Sequence, residues 1–291
     1  MKEVKKLSSN DRFLIINADD FGMCHSANKA IMQMYKDGVI TSSSLMPVCP
    51  WCEEAMEFAE ETQVDIGVHL TFTSEWQYYK WGALTKGASL QEATGYMPSD
   101  CRSVEEFAKK EEVVKEMWSQ IDKLREANLN ITNIDNHMGS LYGLSMGRSF
   151  IPEIFDICQE LDLPFRFPKN FPQERMVGMP EAIIQGCEMI KQLAAQKGVK
   201  LIDYLIEYPF HMGAGEDYAS FKAMIKDKIR HLNAGISELY VHPSVESEEI
   251  KRVNPSWEKR VYEYRVFYED DVQNVIREEG IELIPWSYVR R

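Results

Sequence analysis

Phe13-Leu14-Ile15-Ile16-Asn17-Ala18-Asp19-Asp20-Phe21-Gly22 starts as a strand and ends on two adjacent carboxylates. The apolar run Phe13-Leu14-Ile15-Ile16 reads as a buried strand. Neighbouring carboxylates at such a strand end repel one another, and burial makes ionising them costlier still. A metal ion at one Asp removes that cost and leaves the other free to act as a base. A strand-to-helix turn with Asp as the helix cap would use the same letters.

Three further apolar runs favour the metal, because each leads into a histidine. Val64-Asp65-Ile66-Gly67-Val68 ends at His69, residues 129–134 lead into Asp135-Asn136-His137, and Leu239-Tyr240-Val241 leads into His242-Pro243. Singly, each would be read as a hydrogen-bonded core or loop histidine. Together with the Asp pair, in a chain with 6 His, they point to an Asp–His metal centre with one further acid/base His.

Strand-like and helix-like segments alternate throughout. Strands are predicted at 13–18, 41–46, 64–70, 131–135, 164–167, 200–204, 239–242 and 281–285. Helices are predicted at 25–37, 51–62, 104–127, 148–161, 180–197, 217–233 and 257–279. Ser103 is expected to cap the helix at 104 in a capping box with Glu106, and Pro180 to take a first helical position. Lys36-Asp37-Gly38 and Gln196-Lys197-Gly198 read as helix ends. The alternation predicts a parallel α/β sheet, and this many strands in one domain, 1–291, suggests a (β/α) barrel, TIM-barrel-like, rather than a doubly wound sheet. No Gly-rich dinucleotide fingerprint follows any strand, which disfavours a Rossmann fold. In a barrel, strand ends converge at one face, so Asp19, Asp20, His69, His137 and His242 acquire a reason to meet.

The chain of 291 residues is 44% hydrophobic and 27% charged, as soluble globular proteins are. Its net charge of -13 argues against nucleic acid or an anionic membrane as the main partner. No stretch approaches a membrane span, Met1-Lys2-Glu3-Val4-Lys5-Lys6 has no apolar leader region, and 6 Cys lie without framework spacing. A cytoplasmic location is therefore expected.

At its motifs the chain resembles the YdjC-like family of carbohydrate deacetylases, also called chito-oligosaccharide deacetylase-like. The resemblance covers nearly the whole chain. It rests on Ile16-Asn17-Ala18-Asp19-Asp20-Phe21-Gly22, Gly67-Val68-His69-Leu70-Thr71, Asp135-Asn136-His137-Met138-Gly139, Pro164-Phe165-Arg166 and Glu238-Leu239-Tyr240-Val241-His242-Pro243. It implies a distorted (β/α) barrel that removes acetyl groups from N-acetylated sugars with one divalent metal ion. Asp20, His69 and His137 would be the metal ligands and Asp19 the base that activates water. His242 would protonate the leaving amine, and Arg166 would be a polar active-site residue orienting a carboxylate. Many relatives carry a second His two residues beyond the one matched by His137, where this chain has Gly139. The resemblance also makes a homodimer plausible.

A His₂Asp set with open positions suits zinc, iron, cobalt or nickel, and magnesium or manganese if water fills the shell. Magnesium and zinc lead the expectation. The partner expected is a small acetylated sugar or oligosaccharide. The alternatives are a metal-dependent barrel phosphodiesterase or sugar isomerase, or a non-catalytic sugar-binding protein on the same scaffold.

Other features read more plainly. Cys49-Pro50-Trp51-Cys52 has redox-motif spacing without the setting of one. Trp76, Tyr78, Tyr79 and Trp81 could stack on a sugar or pack on the barrel rim. Asp135 is a candidate to orient His137. His25, His211 and His231 read as structural or surface residues. The acidic stretches 53–61 and 105–116 read as solvated helix faces, and Asp270-Asp271 as surface.

Overall fold

The computed structural model describes residues 10–172 and 177–290; the opening Met1–Lys6 stretch lies outside them. Its strands are β1 (Arg12–Phe21), β2 (Ser42–Leu45), β3 (Ile66–Leu70), β4 (Ile131–Asn136), β5 (Phe165–Pro168), β6 (Leu201–Ile202), β7 (Tyr204–Ile206), β8 (Gly235–Val241) and β9 (Glu282–Leu283). The helices before β5 are α1 (His25–Lys36), α2 (Cys52–Thr62), α3 (Cys101–Phe107), α4 (Lys110–Glu126) and α5 (Ile151–Leu161). Those after it are α6 (Glu181–Lys197), α7 (Tyr218–Arg230), α8 (Glu248–Val253), α9 (Trp257–Val266), α10 (Asp270–Glu278) and α11 (Trp286–Arg290).

All strand pairings are parallel, in the order β6-β5-β4-β3-β2-β1-β8-β7, with β9 added to β1. The two ends of this order, β6 and β7, are separated in the chain by Asp203 alone. Ile202 O accepts from Lys169 N just past β5, and Asp203 N donates to Ile236 O on β8. One short segment thus bonds both neighbours, and the sheet curls back on itself as a distorted β/α barrel. The predicted strand at 200–204 is that segment, split where it changes partner.

Side chains alternate across each strand, and this sorts the barrel. Leu14, Ile16, Val68, Ile134, Phe165 and Leu239 join the core under the helices. Phe13 and Ile15 point the other way, into a small apolar layer with Ile202, Ile284 and the buried Trp286 of α11. This layer plugs the barrel floor. On the same inward register above it come Asn17 and Asp19 on β1, His69 on β3, Asp135 on β4, Arg166 on β5 and Glu238 on β8, all buried. The interior is therefore apolar at one end and densely charged at the other.

Two predicted helices are corrected. The segment 104–127 is two helices, because Ala108 is extended and Lys109 N is taken by Ser89 Oγ at 2.8 Å. Asp100, not Ser103, is the cap, accepting from Ser103 N. The segment 257–279 breaks at residues 267–269, where Phe267 is fully buried and Glu269 pairs with Tyr218 and Lys222. Pro180 is the cap of α6 rather than its first residue.

The solvated face expected at 105–116 is also wrong at two positions. Glu105 is buried and accepts from Ser145 N and Met146 N, and Glu116 is buried and accepts from Leu84 N and Thr85 N. Both carboxylates anchor loops whose backbone donors would otherwise be unpaired.

Gly22, which closes the opening motif, has φ +91, and an added Cβ would sit 2.9 Å from Cys52 Cα. Gly22→Ala is expected to cost about 1–3 kcal/mol of stability, the usual size of such strain. A urea-unfolding midpoint unchanged in this variant would refute the expectation.

Candidate metal centre and active site

Asp19 and Asp20 reach the same site because β1 is irregular there. Ala18 pairs with Ser43 and Phe21 with Leu45, so β1 spends one more residue than β2 over this span. Asp20 takes φ 64, a left-handed conformation uncommon for a non-glycine residue. In a regular strand the second carboxylate would face the helices; the bulge turns it into the barrel.

Asp20 is fully buried. Its Oδ1 lies 3.5 Å from His69 Nε2 and 3.3 Å from His137 Nδ1. Its Oδ2 accepts from Arg260 Nη2 at 2.6 Å. Among the described residues Oδ1 has no hydrogen-bond partner, although buried carboxylate oxygens ordinarily have one. Burial opposes ionisation of Asp20, but Arg260 and His137 hold its pKa well below the usual carboxylate range.

The other nitrogen of each histidine is taken by a carboxylate. Asp135 Oδ1 lies 2.6 Å from His69 Nδ1, and Glu75 lies 3.1 Å from His137 Nε2. Asp135 therefore orients His69, not His137 as the sequence suggested, because β3 and β4 pair with His69 opposite Asp135. Metal-binding histidines characteristically carry such a carboxylate behind the ring. Burial pushes His137 down, but Glu75 and Asp20 outweigh it and raise its pKa to about 10.

Arg166 joins the remaining acids. Its Nη1 and Nη2 donate to the two oxygens of Asp19, both at 2.7 Å. Its Nε and Nη2 reach Glu238, and Nη2 lies 2.9 Å from Asp135 Oδ2. Asn17 Nδ2 adds a bond to Asp19 Oδ1 at 2.7 Å. Burial raises the pKa of Asp19, yet Arg166 dominates and brings it to about 2. Glu238 goes the other way: burial, reinforced by Asp19 and Asp135, raises it to about 7 despite Arg166.

Three acidic side chains contact Arg166 (Asp19, Asp135, Glu238) and one contacts Arg260 (Asp20), so acidic groups outnumber guanidiniums. A divalent cation would help to neutralise the acidic groups left over. Among the described residues, two groups have the spacing to hold an ion: Asp20–His69–His137 and Asp19–His69–Asp135. They share His69, and Arg166 already occupies the carboxylates of the second. The donor set therefore fits one ion, at Asp20.

His242 closes the other side. Its ring lies edge-on to Phe210 and Tyr240, with centroids at 5.0 and 5.6 Å. Asp19, Asp20, His69, His137, Arg166 and His242 all line one cavity of about 720 Å³ at the C-terminal ends of the strands. All six predicted site residues are thus brought together. Trp76 also lines the cavity, whereas Tyr78 is 81% exposed. Tyr79 and Trp81 are spent on the backbone oxygens of Met23 and Thr73. The aromatic loop is mainly a packed wall.

Sequence reasoning missed Glu75, Glu238, Arg260 and Glu263, which also surround the cavity or its charged floor. Glu238 left a signal, being a carboxylate inside an apolar strand pattern. Arg260 and Glu263 lie among other charges on a helix and left none. His211 borders the cavity and bonds Ser256, while His25 and His231 lie outside it. Cys49 and Cys52 are buried free thiols whose pKa values burial pushes up, the opposite of a redox dithiol.

The chain as a whole is similar to known proteins. A carbohydrate deacetylase of Thermoanaerobacter pseudethanolicus is 24% identical over 280 residues, 96% of this chain and 100% of the relative. A carbohydrate deacetylase of Thermus thermophilus is 25% identical over 280 residues, 96% of this chain and 94% of the relative. A solved structure from Enterococcus faecalis V583, named for cellobiose-phosphate cleavage, superimposes with a TM-score of 0.74 at 23% identity, over 96% of this chain and 98% of that one. The model of the YdjC-like proteins matches residues 13–278, from β1 to the end of α10. That span holds the bulged Asp pair, both histidine–carboxylate pairs, Arg166 and His242, and the chain belongs to the YdjC-like family.

Proposed function

We propose that this chain is a divalent-metal-dependent deacetylase acting on an N-acetylated amino sugar or short chito-oligosaccharide. The observation that carries the reading is the buried Oδ1 of Asp20, which lacks a hydrogen-bond partner among the described residues and faces one nitrogen each of His69 and His137. The relatives from Thermoanaerobacter and Thermus are named carbohydrate deacetylases, which supports a carbohydrate substrate and acetyl removal. The cavity volume of about 720 Å³ lies within the roughly 300–1,000 Å³ of ordinary ligand sites.

Asp20, His69 and His137 would hold the ion, with Asp135 and Glu75 fixing the two rings. When bound, the ion supplies a Lewis acid for the acetyl carbonyl and acidifies water. Asp19 is ionised at neutral pH and takes the proton of the attacking water. Arg166 keeps both Asp19 oxygens aimed, at the expense of basicity, since both are hydrogen-bonded to it. His242 gives its proton to the departing sugar nitrogen. Both carboxylates of the second possible ion group are held by Arg166, so a two-metal phosphodiesterase is disfavoured.

Acetate release from N-acetylglucosamine and its short oligomers is the direct test. Chelation should abolish it, and adding back magnesium, zinc or cobalt ions should restore it, one ion per chain by elemental analysis. Full turnover after exhaustive chelation, or two ions per chain with phosphodiester cleavage, would overturn the reading.

A further inference from the structure

We infer that Glu263 is the positioning residue of His242, deciding which ring nitrogen the histidine presents to the cavity. Glu263 is 1% exposed on α9. One of its oxygens, Oε2, accepts from the backbone N of His242 at 2.9 Å. The other, Oε1, accepts from the hydroxyl of Tyr208 at 2.7 Å. The carboxylate is therefore fixed at two points, and Oε1 lies 3.8 Å from His242 Nδ1.

His242 Nδ1 is buried and has no hydrogen-bond partner among the described residues. A buried ring nitrogen left alone is costly, and Glu263 Oε1 is placed to relieve it. A movement of about 1 Å would bring the pair within hydrogen-bond range. Catalytic hydrogen bonds are often this long before substrate binds. Once made, the bond keeps a proton on Nδ1, so the ring takes up its second proton on Nε2, and the imidazolium gives that Nε2 proton away. The edge-on rings of Phe210 and Tyr240 restrict rotation of the imidazole. The leaving nitrogen takes the Nε2 proton, and the Nδ1 proton stays between histidine and carboxylate.

Helix α9 thereby serves both halves of the site. Arg260 stands one turn before Glu263, on the same helical face, and holds Asp20. Glu263 holds His242.

The inference rests on His242 acting as the acid, and the test separates the two claims. Protein labelled with ¹⁵N-histidine reports the tautomer of each ring, and a His242→Gln variant assigns the signal among the 6 His. Neutral His242 is expected to carry its proton on Nδ1 in the native protein and to lose that preference in Glu263→Gln. The same variant should lower kcat, by at most the ~10²–10⁴-fold that a positioned general acid is worth. KM and metal content should stay close to native, because Glu263 bonds Tyr208 and His242 rather than a proposed metal ligand. Glu263→Asp should recover part of kcat.

An unchanged tautomer and native kcat in Glu263→Gln, with His242→Ala crippled, would overturn the positioning role and leave the deacetylase reading standing. Native turnover in His242→Ala would overturn the acid and this inference together. If Glu263→Gln does not fold, the native spectrum decides: a neutral His242 protonated on Nε2 overturns the inference.

Discussion

Arg166→Met is expected to destabilise the fold by about 3–5 kcal/mol, the cost of breaking a buried ion pair by removing one partner. Arg166 is the shared cation of Asp19, Asp135 and Glu238, all buried. Methionine fills similar volume but leaves three carboxylates facing one another. Glu238 already titrates near 7 with the guanidinium present, so in the variant it is the group that takes up a proton most readily. A raised carboxylate pKa gives stability that is fully present below the unfolded value and is lost as pH rises through the folded one. The native contribution of Glu238 should therefore fall between pH 4.5 and about 7, and the variant's deficit should be larger at pH 8 than at pH 5. Asp19 has the opposite sign: its contribution is present above pH 3.8 and lost as pH falls towards 2. Urea unfolding of both proteins at pH 5 and 8 measures this. A deficit below 1 kcal/mol at pH 8, where about 3–5 is expected, would show that Arg166 is not the keystone of the charged floor.

Asp19→Asn and Asp20→Asn should part company even though the residues are neighbours. Asp19 is bound by Arg166 and Asn17, and its substitution leaves Asp20, His69 and His137 in place. It should keep the metal and lose about 10²–10⁴-fold in rate, the worth of a positioned base. His242→Ala should also keep the metal and lose rate over the same range. Asp20→Asn removes the charge at the unpartnered Oδ1, and His69→Ala removes the nitrogen facing it. Both should lose metal as well as rate. Metal content and acetate release on the same four proteins decide it. Near-native turnover in both Asp19→Asn and His242→Ala would end the acid/base assignment, and full metal content in Asp20→Asn would end the ligand assignment.

The sequence by itself determined the strands, the helices between them and the motifs at the strand ends. Those signals are local: an apolar run such as Leu239-Tyr240-Val241 before His242, or a glycine after Lys36-Asp37. It also pointed to the parallel barrel, since alternating units admit few topologies, and with the barrel came a reason for Asp19, Asp20, His69, His137 and His242 to meet; Arg166 entered only through the family resemblance. Only the tertiary structure decided how those groups are shared. The β3–β4 register put Asp135 opposite His69 rather than beside His137. The bulge at Asp20 brought two successive side chains into one cavity. Ser89 broke a helix that propensity would have continued, and buried loops claimed Glu105 and Glu116 from an apparently solvated face. Glu263 and Arg260 meet His242 and Asp20 across 21 and 240 residues of chain. Hydrophobic periodicity is a property of neighbours in sequence, whereas the partner of a buried charge is whichever group the closed barrel leaves nearest, and no local pattern encodes that distance.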